Sequence, residues 1–477
     1  MVNANNVPSN DTTVLNSEIG SICQWVRAKP NNDDSYIRLP VNKTVADYRI
    51  SGLIFKYYDI ANFASIPTVE NFTDLYPQNK TDLYTGMLGS DGKFNVNASE
   101  GYTVENLHFW SGVIDKEITF PVLDSGFYCV YIAPDANKDT DFKLPVHFRN
   151  YHGNLDYATY VYYTIVKWIF AILAVTGAAI FKFHKSSDSK GPQKLSSVEA
   201  VINTYVLLTF IPFMLWELSD FCTLYAKNNV FLPYEISSNK SVFLLVCFVF
   251  ITLNEAFQSY ATLLYAMGLG VIYYYREVAS YKKFPPEMLR LATALLLVDG
   301  AIRLSLLGVK DWPGSISFMG ASITVPAKLV YLGLTCATFL MSCVWFILSF
   351  KFYFDTKKKL SSSIAQDGSK VKVVSAFKKT SLAIWIVPVV CTLIMTVISS
   401  LALYFTFRGV SHSNFKFTPR VEILDSYMNM EIGTRVQLIG MLTSGLEPWV
   451  ATLISIGAVY LIWAKLSDRS TIERKIE

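Results

Sequence analysis

The chain has 477 residues, of which 52% are hydrophobic and only 17% charged, with a mean hydropathy of +0.31. Soluble domains run nearer one-quarter charged, so this composition excludes intrinsic disorder and a collagen-like fibre and argues against a wholly soluble protein. The formal net charge of +4 is too small to point to nucleic acid as a partner.

Residues 1–158 read as a separate, water-soluble domain with spread charge. Runs at 48–58, 101–114, 117–121, 126–133 and 142–148 are rich in β-branched and aromatic residues and are bounded by Gly, Asp and Asn turns. A small antiparallel β-sandwich is the expected fold. The stretch Tyr128-Cys129 does not support an immunoglobulin domain, where the Tyr stands two residues before the Cys on the same strand face. Here the two are adjacent and face opposite sides.

From residue 159 onward, long apolar stretches recur. A helix needs about 20 mostly apolar residues to cross a bilayer. Seven spans are expected, near 161–183, 198–225, 242–274, 287–307, 326–350, 381–405 and 441–463. The third is long enough that it must tilt, protrude or contain a break. The fourth is the weakest, because Asp299 and Arg303 interrupt it. The bundle is expected over 159–465, with a short cytosolic tail at 466–477. The fold class is therefore an α+β membrane protein, a β-sandwich followed by seven helices.

Basic residues give the orientation. The first, third and fifth connections and the tail hold nineteen Lys and Arg, against seven on the opposite side. The richer side is expected to be cytosolic and the N-terminal domain lumenal. Asn-x-Ser/Thr acceptors agree: Asn10, Asn42, Asn71, Asn79 and Asn97 lie in that domain, and Asn239 lies in a connection on the same side. Of seven Cys, only Cys23 and Cys129 fall in the domain, and an oxidising lumen favours a disulfide between them. Residues 1–21 contain no apolar core, so a leader already removed, or the first span itself, would deliver the domain to the lumen.

Several stretches together resemble one family. Ser125-Gly126-Phe127-Tyr128-Cys129-Val130-Tyr131-Ile132-Ala133-Pro134 resembles the last strands of the lumenal domain in the GOST family, the Golgi-dynamics (GOLD) domain seven-transmembrane proteins, also called lung seven-transmembrane receptor-like. Asn150, Gly153 and Leu155 resemble its Asn-x-x-Gly-x-Leu mark before the first span. Leu253-Asn254 and Met267-Gly268-Leu269-Gly270-Val271 resemble marks of its third span, and Ile462-Trp463-Ala464-Lys465 stands where members usually carry Trp-Arg-Pro. Leu269 stands in place of the family's aromatic between two glycines, the Pro that commonly follows is absent and Ala464-Lys465 replaces Arg-Pro, so the resemblance is to a divergent, fungal-type member. The resemblance implies a GOLD-like lumenal β-sandwich on a receptor-like bundle in Golgi and endosomal membranes. It implies roles in secretory and retrograde trafficking and no common enzymatic activity. One branch carries lipidated signalling proteins, and channel activity has been proposed for some members.

Charges inside spans are costly unless paired or hydrated. Lys167, Glu217, Asp220, Glu255, Asp299, Arg303, Lys328 and Glu447 fall mostly in the lumenal half of the predicted bundle. This asymmetry predicts a polar, hydrated cavity between the helices that binds a ligand and opens toward the lumen or sideways toward lipid. Asp299 and Arg303 stand four apart and share a helix face. Lys167, Arg303 and Lys328 are available to balance Glu217, Asp220 and Glu447. For Asp220, Lys328 and Glu447, near span ends, bundle-holding ion pairs or snorkelling serve equally well. Pro212 and Pro388 are expected to kink their spans.

The sequence contains no His-Glu-x-x-His run, Cys-x-x-Cys pair, Walker loop or Gly-x-Ser-x-Gly elbow, so neither a cofactor nor a metal site is expected. Gly268-Leu269-Gly270 is read as a helix-packing site rather than a nucleotide loop. The expected function is non-enzymatic: a trafficking protein that receives lumenal or lipidated cargo, or lipid itself, and meets coat or sorting proteins on its cytosolic face. Two rivals stand beside it, a G-protein-coupled-type receptor acting through the fifth connection and a cation channel or transporter.

Overall fold

The computed structural model describes residues 14–29, 34–41, 49–76, 86–101, 103–133, 142–188, 197–230, 242–275, 281–309, 315–318, 323–364, 370–411 and 421–476. The chain forms two compact units. The first comprises Met1–Ile165, Thr223–Ser241 and Val397–Thr443, and the second Val166–Cys222, Val242–Thr396 and Ser444–Glu477.

In the first unit, β1 (Val14–Asn16) pairs with β8 (Lys143–Pro145). Strands β2 (Ser21–Val26), β7 (Gly126–Ala133), β4 (Ser51–Lys56) and β5 (Phe109–Val113) form one sheet in the order β2-β7-β4-β5. Strands β6 (Ile118–Pro121), β3 (Tyr36–Leu39) and β9 (His147–Arg149) form another, in the order β6-β3-β9. All pairings in these three sheets are antiparallel. Side chains alternate between the faces of a strand. One face of the larger sheet sends Ile22, Ile54, Val130 and Ile132 into a common core with Ile37, Leu39, Phe120 and Phe148 of the smaller sheet. The expected β-sandwich is present. Sequence reading placed β4 to β7 and the β8–β9 region but gave no strand at β1, β2 or β3.

The opposite face of the larger sheet is also covered. Phe55, Cys129 and Tyr131 lie under a 3-10 turn, Tyr57–Asn62, and helix α1 (Val69–Leu75). Thr68 caps α1 by accepting from the Asn71 N–H, and Phe72 stacks on Tyr131 at 4.4 Å. Burial on both sides explains why every residue of β7 is buried. Each large apolar side chain enclosed there contributes about 1.5–3 kcal/mol.

Cys23 and Cys129 are directly opposite on β2 and β7 and form the expected disulfide. Of the glycan acceptors, Asn71 and Asn97 are exposed; Asn10, Asn42, Asn79 and Asn239 lie outside the described residues.

The long helices follow: α2 (Tyr157–Asp188), α3 (Ser197–Asn229), α4 (Val242–Ala266), α5 (Pro286–Val309), α6 (Ala327–Ile364), α7 (Lys370–Ser411) and α8 (Val421–Ile476). Pro212, Pro388 and Pro448 lie inside α3, α7 and α8, and α3 includes a π-turn at Ile202–Val206. Among the described residues, six helices are long and apolar enough to cross a membrane: α2, α3, α5, α6, α7 and α8. Helix α4 has 25 residues and carries Asn254, Glu255 and Gln258 in its second half. The fifth connection is mostly helical, because α6 runs on to Ile364 and α7 already starts at Lys370.

Two expected span boundaries change. The third span was expected to reach residue 274, but α4 stops at Ala266. Gly268 and Gly270 follow with φ of 95° and 81° and form a turn, not a stretch of membrane helix. Such dihedrals end a helix and favour glycine. A Cβ on Gly270 would stand 2.3 Å from the Thr204 Oγ1 of α3, so close approach is real but belongs to a turn laid on a helix.

The seventh span was expected at 441–463, and α8 instead begins at Val421 and reaches Ile476. At 56 residues it is about 84 Å long. Its first turns pack on the β-domain. Tyr427 sits edge-on to Phe127 at 5.5 Å, while Glu70 accepts from Ser426 Oγ (3.0 Å) and Asn429 Nδ2 (3.1 Å). Besides the β-domain, the first unit holds helical residues 223–229, 397–411 and 421–443.

Asn150, Gly153 and Leu155 form a tied turn before α2. The backbones of Asn150 and Gly153 pair in both directions. Gly153 has φ of 125°, and a Cβ there would meet Asn228 Oδ1 at 2.4 Å. Asn228 Nδ2 donates to the His152 carbonyl (2.7 Å), and Asn228 Oδ1 accepts from the Leu155 N–H (3.2 Å). The His152 ring stacks on Tyr160 at 3.8 Å, and neither ring nitrogen has a partner among the described residues.

Burial, and then the nearby Arg27, lower the His152 pKa to about 4. The unfolded chain protonates near the ordinary value of 6.5, whereas the folded chain does not until about pH 4. Stability present above pH 6.5 is therefore lost as pH falls towards 4. After discounting for partial exposure the loss is on the order of 1–2 kcal/mol. His152→Phe keeps the stack and removes the titration. Its melting temperature between pH 7 and pH 4 is expected to fall by less than that of the wild type.

Candidate functional site

Helices α4, α5 and α6 pack together in the second unit. Small residues permit their close approach: Ala292 is fully buried, and a Cβ on Gly300 would stand 3.3 Å from Leu253. Around them Leu263, Leu264 and Trp345 form an apolar cluster.

A charged network is set into this packing. Asp299, which has no solvent exposure, accepts from Arg303 Nε at 3.0 Å and from the Trp345 indole N–H at 2.9 Å. Arg303 Nη1 donates to Glu255 Oε2 on α4. The side chains of Arg303 and Glu255 are 10% and 75% exposed. The network therefore runs from a sealed end at Asp299 to an open end at Glu255. Two carboxylates oppose one guanidinium, which leaves one negative charge at the open end. Such an end suits an ammonium group, a metal cation or a proton, or water that hydrates the carboxylate.

The fourth span, expected to be the weakest, is a continuous helix because its two charges satisfy each other four residues apart. The expectation that Arg303 balances Glu217, Asp220 or Glu447 is corrected: its described partners are Asp299 and Glu255. Packing decides this. Arg303 lies on the face of α5 turned to α4, and Glu255 is across from it.

The other five predicted residues do not join the network among the described contacts. Glu217 is buried in α3, with Oε2 lacking a described partner, and Asp220 lies one turn further on. Glu447 accepts a hydrogen bond from the Thr392 hydroxyl of α7. Lys167 and Lys328 are exposed, and no salt bridge among the described residues includes either.

Sequence reading missed Trp345, Asn254 and Thr392. Trp345 had a signal, since a buried indole N–H needs an acceptor and Asp299 was the charge available. Asn254 is buried beside Glu255 with Oδ1 unpartnered among the described residues, while Gln258, one turn on, donates to the Thr209 carbonyl of α3. Groups of three or more His, Cys, Asp or Glu arranged to hold a metal are absent among the described residues.

No family model matches the chain. It is similar to an uncharacterized protein of Schizosaccharomyces pombe, C26H5.07c, at 27% identity over 180 residues. That stretch is 35% of this chain and 34% of the relative, so the chain spans about a third of the relative's length.

Proposed function

We propose that the chain is a non-enzymatic seven-pass membrane protein of the Golgi and endosomes that receives cargo or lipid during secretory or retrograde trafficking. The observation that carries this reading is Glu255, an open carboxylate held by a buried Arg303–Asp299 pair in the middle of a long helix. A charge in hydrocarbon costs several kcal/mol unless water or a ligand meets it. A ligand with a cationic group, such as a lipid headgroup amine or a lysine of a peptide, fits the excess negative charge.

Helix α4 counts as the seventh crossing in this reading, with its polar second half facing neighbouring helices. The bias of basic residues and the Asn-x-Ser/Thr acceptors support a lumenal β-domain and a cytosolic end of α8. The likeness of 125–134, Asn150, Gly153, Leu155 and 267–271 to GOST proteins supports the same assignment.

Glu255→Gln tests it. The substitution removes the open charge and keeps an acceptor for Arg303, so the fold is expected to remain. The wild type, purified in lipid nanodiscs, should retain amine-headgroup lipid by native mass spectrometry, and the variant about tenfold less. Equal retention by both proteins sinks the lipid reading. Cation flux into liposomes that is lost in Glu255→Gln would favour the channel rival instead.

A further inference from the structure

Strand β5 ends the four-stranded sheet, and its outer edge opens onto a groove of about 500 Å³. The β4–β5 register fixes which backbone groups face that groove. The Ile114 N–H donates to the Ile50 carbonyl, so the hydrogen-bonded pairs are Ile50–Ile114, Gly52–Gly112 and Ile54–Trp110. Phe109 and Ser111 therefore turn their N–H and C=O groups away from β4, about 6.8 Å apart. Both residues line the groove, and their backbones have no partner outside the sheet among the described residues.

Natural sheets blunt free edges with Lys, Pro or a covering segment. The sequence of β5, Phe-Trp-Ser-Gly-Val, contains neither Lys nor Pro. At the far side of the sheet, β2 is packed by α1 and β9. The Trp110 ring lies flush against the opposed pair Gly52 and Gly112, where an added Cβ on either would stand 3.0 Å from it. The segment 89–97 forms the other wall, with Phe94 accepting from the Ser111 hydroxyl at 3.2 Å.

We propose that β5 is a docking strand for an extended peptide segment of a partner protein, which adds to the sheet as a fifth strand. Two donors and two acceptors at strand spacing recognise another extended backbone. The proposal deepens the cargo-receptor reading and rests on it for the source of the peptide. Asn97, a glycan acceptor by sequence, borders the same groove, so glycans should be trimmed before the test.

The test uses the full chain in detergent micelles and a synthetic peptide of alternating Thr and Val with Lys at each end. Hydrogen exchange of amides 109–113 is read by mass spectrometry. The expected result is at least a tenfold slowing with this peptide and none with the same peptide N-methylated at alternate residues. Ser111→Pro removes one outward donor at an edge that tolerates proline, and should abolish the slowing while the near-ultraviolet dichroism stays native. The proposal is overturned by no protection at millimolar peptide, or by equal protection from the methylated peptide. It is also overturned if these amides are already protected in a dimer of this chain, or if chitobiose rather than peptide protects them. Peptide addition without any sorting defect in Ser111→Pro cells would refute the receptor reading and keep the site. Normal cargo sorting with no peptide addition would do the reverse.

Discussion

Asp299→Ala is expected to destabilise the second unit by about 3–5 kcal/mol, the cost of removing the enclosed partner from a buried ion pair. Asp299 is fully enclosed and accepts from both Arg303 and Trp345. Removing it leaves the Arg303 guanidinium, whose side chain is only 10% exposed, with Glu255 as its remaining carboxylate partner, and strands the indole N–H. Trp345→Phe removes one donor and nothing charged, so about 1–2 kcal/mol is expected there. Thermal unfolding in a fixed detergent ranks the two. A melting temperature for Asp299→Ala within about two degrees of wild type would show that the pair does not hold the helices. Asp299 is consequently a poor probe of ligand handling, because its loss disturbs the fold. Glu255, at the open end, is the clean one.

The paired substitution Cys23→Ala and Cys129→Ala should have an effect of similar size in the first unit. The bond joins residues 106 apart. Closing a loop of that length removes about 4–5 kcal/mol of unfolded-chain entropy in the chain-entropy account. Cys129 is also fully buried, beside Phe55 and Tyr131. Proteolysis of the β-domain should accelerate steeply in the double variant. Reductant should bring the wild type to the same rate and leave the variant unchanged. Equal proteolysis of the oxidised wild type and the variant would mean that the core alone suffices.

Much of the architecture was legible because it rests on local patterns. Strand β7 shows as an unbroken run of β-branched and aromatic residues, and the apolar stretches show as helices long enough to cross a bilayer. Strands β2 and β3 were missed because Gln24 and Arg38 break their apolar pattern. The end of α4 was missed because 267–274 stays apolar. Only the positive φ at Gly268 and Gly270 turns the chain, and hydropathy does not register a dihedral. The early start of α8 was hidden because its first turns serve the β-domain. Tyr427 and Met430, three apart, were the available signal.

The candidate site divides in the same way. Asp299 and Arg303 were paired correctly from their spacing of four, since one helix sets that distance. Glu255 and Trp345 come from other helices, and nothing in the order of residues states which faces meet. By itself the sequence determined that charges sit within apolar stretches, that two cysteines share one domain, and that a β-domain precedes the helices. Only the tertiary structure decided that Arg303 spans Asp299 and Glu255, that one end of that network is sealed and the other open, and that β5 ends its sheet among the described residues. The reason is that hydropathy and spacing are properties of a single segment. Burial and hydrogen-bond partners arise from contacts between segments far apart in the chain.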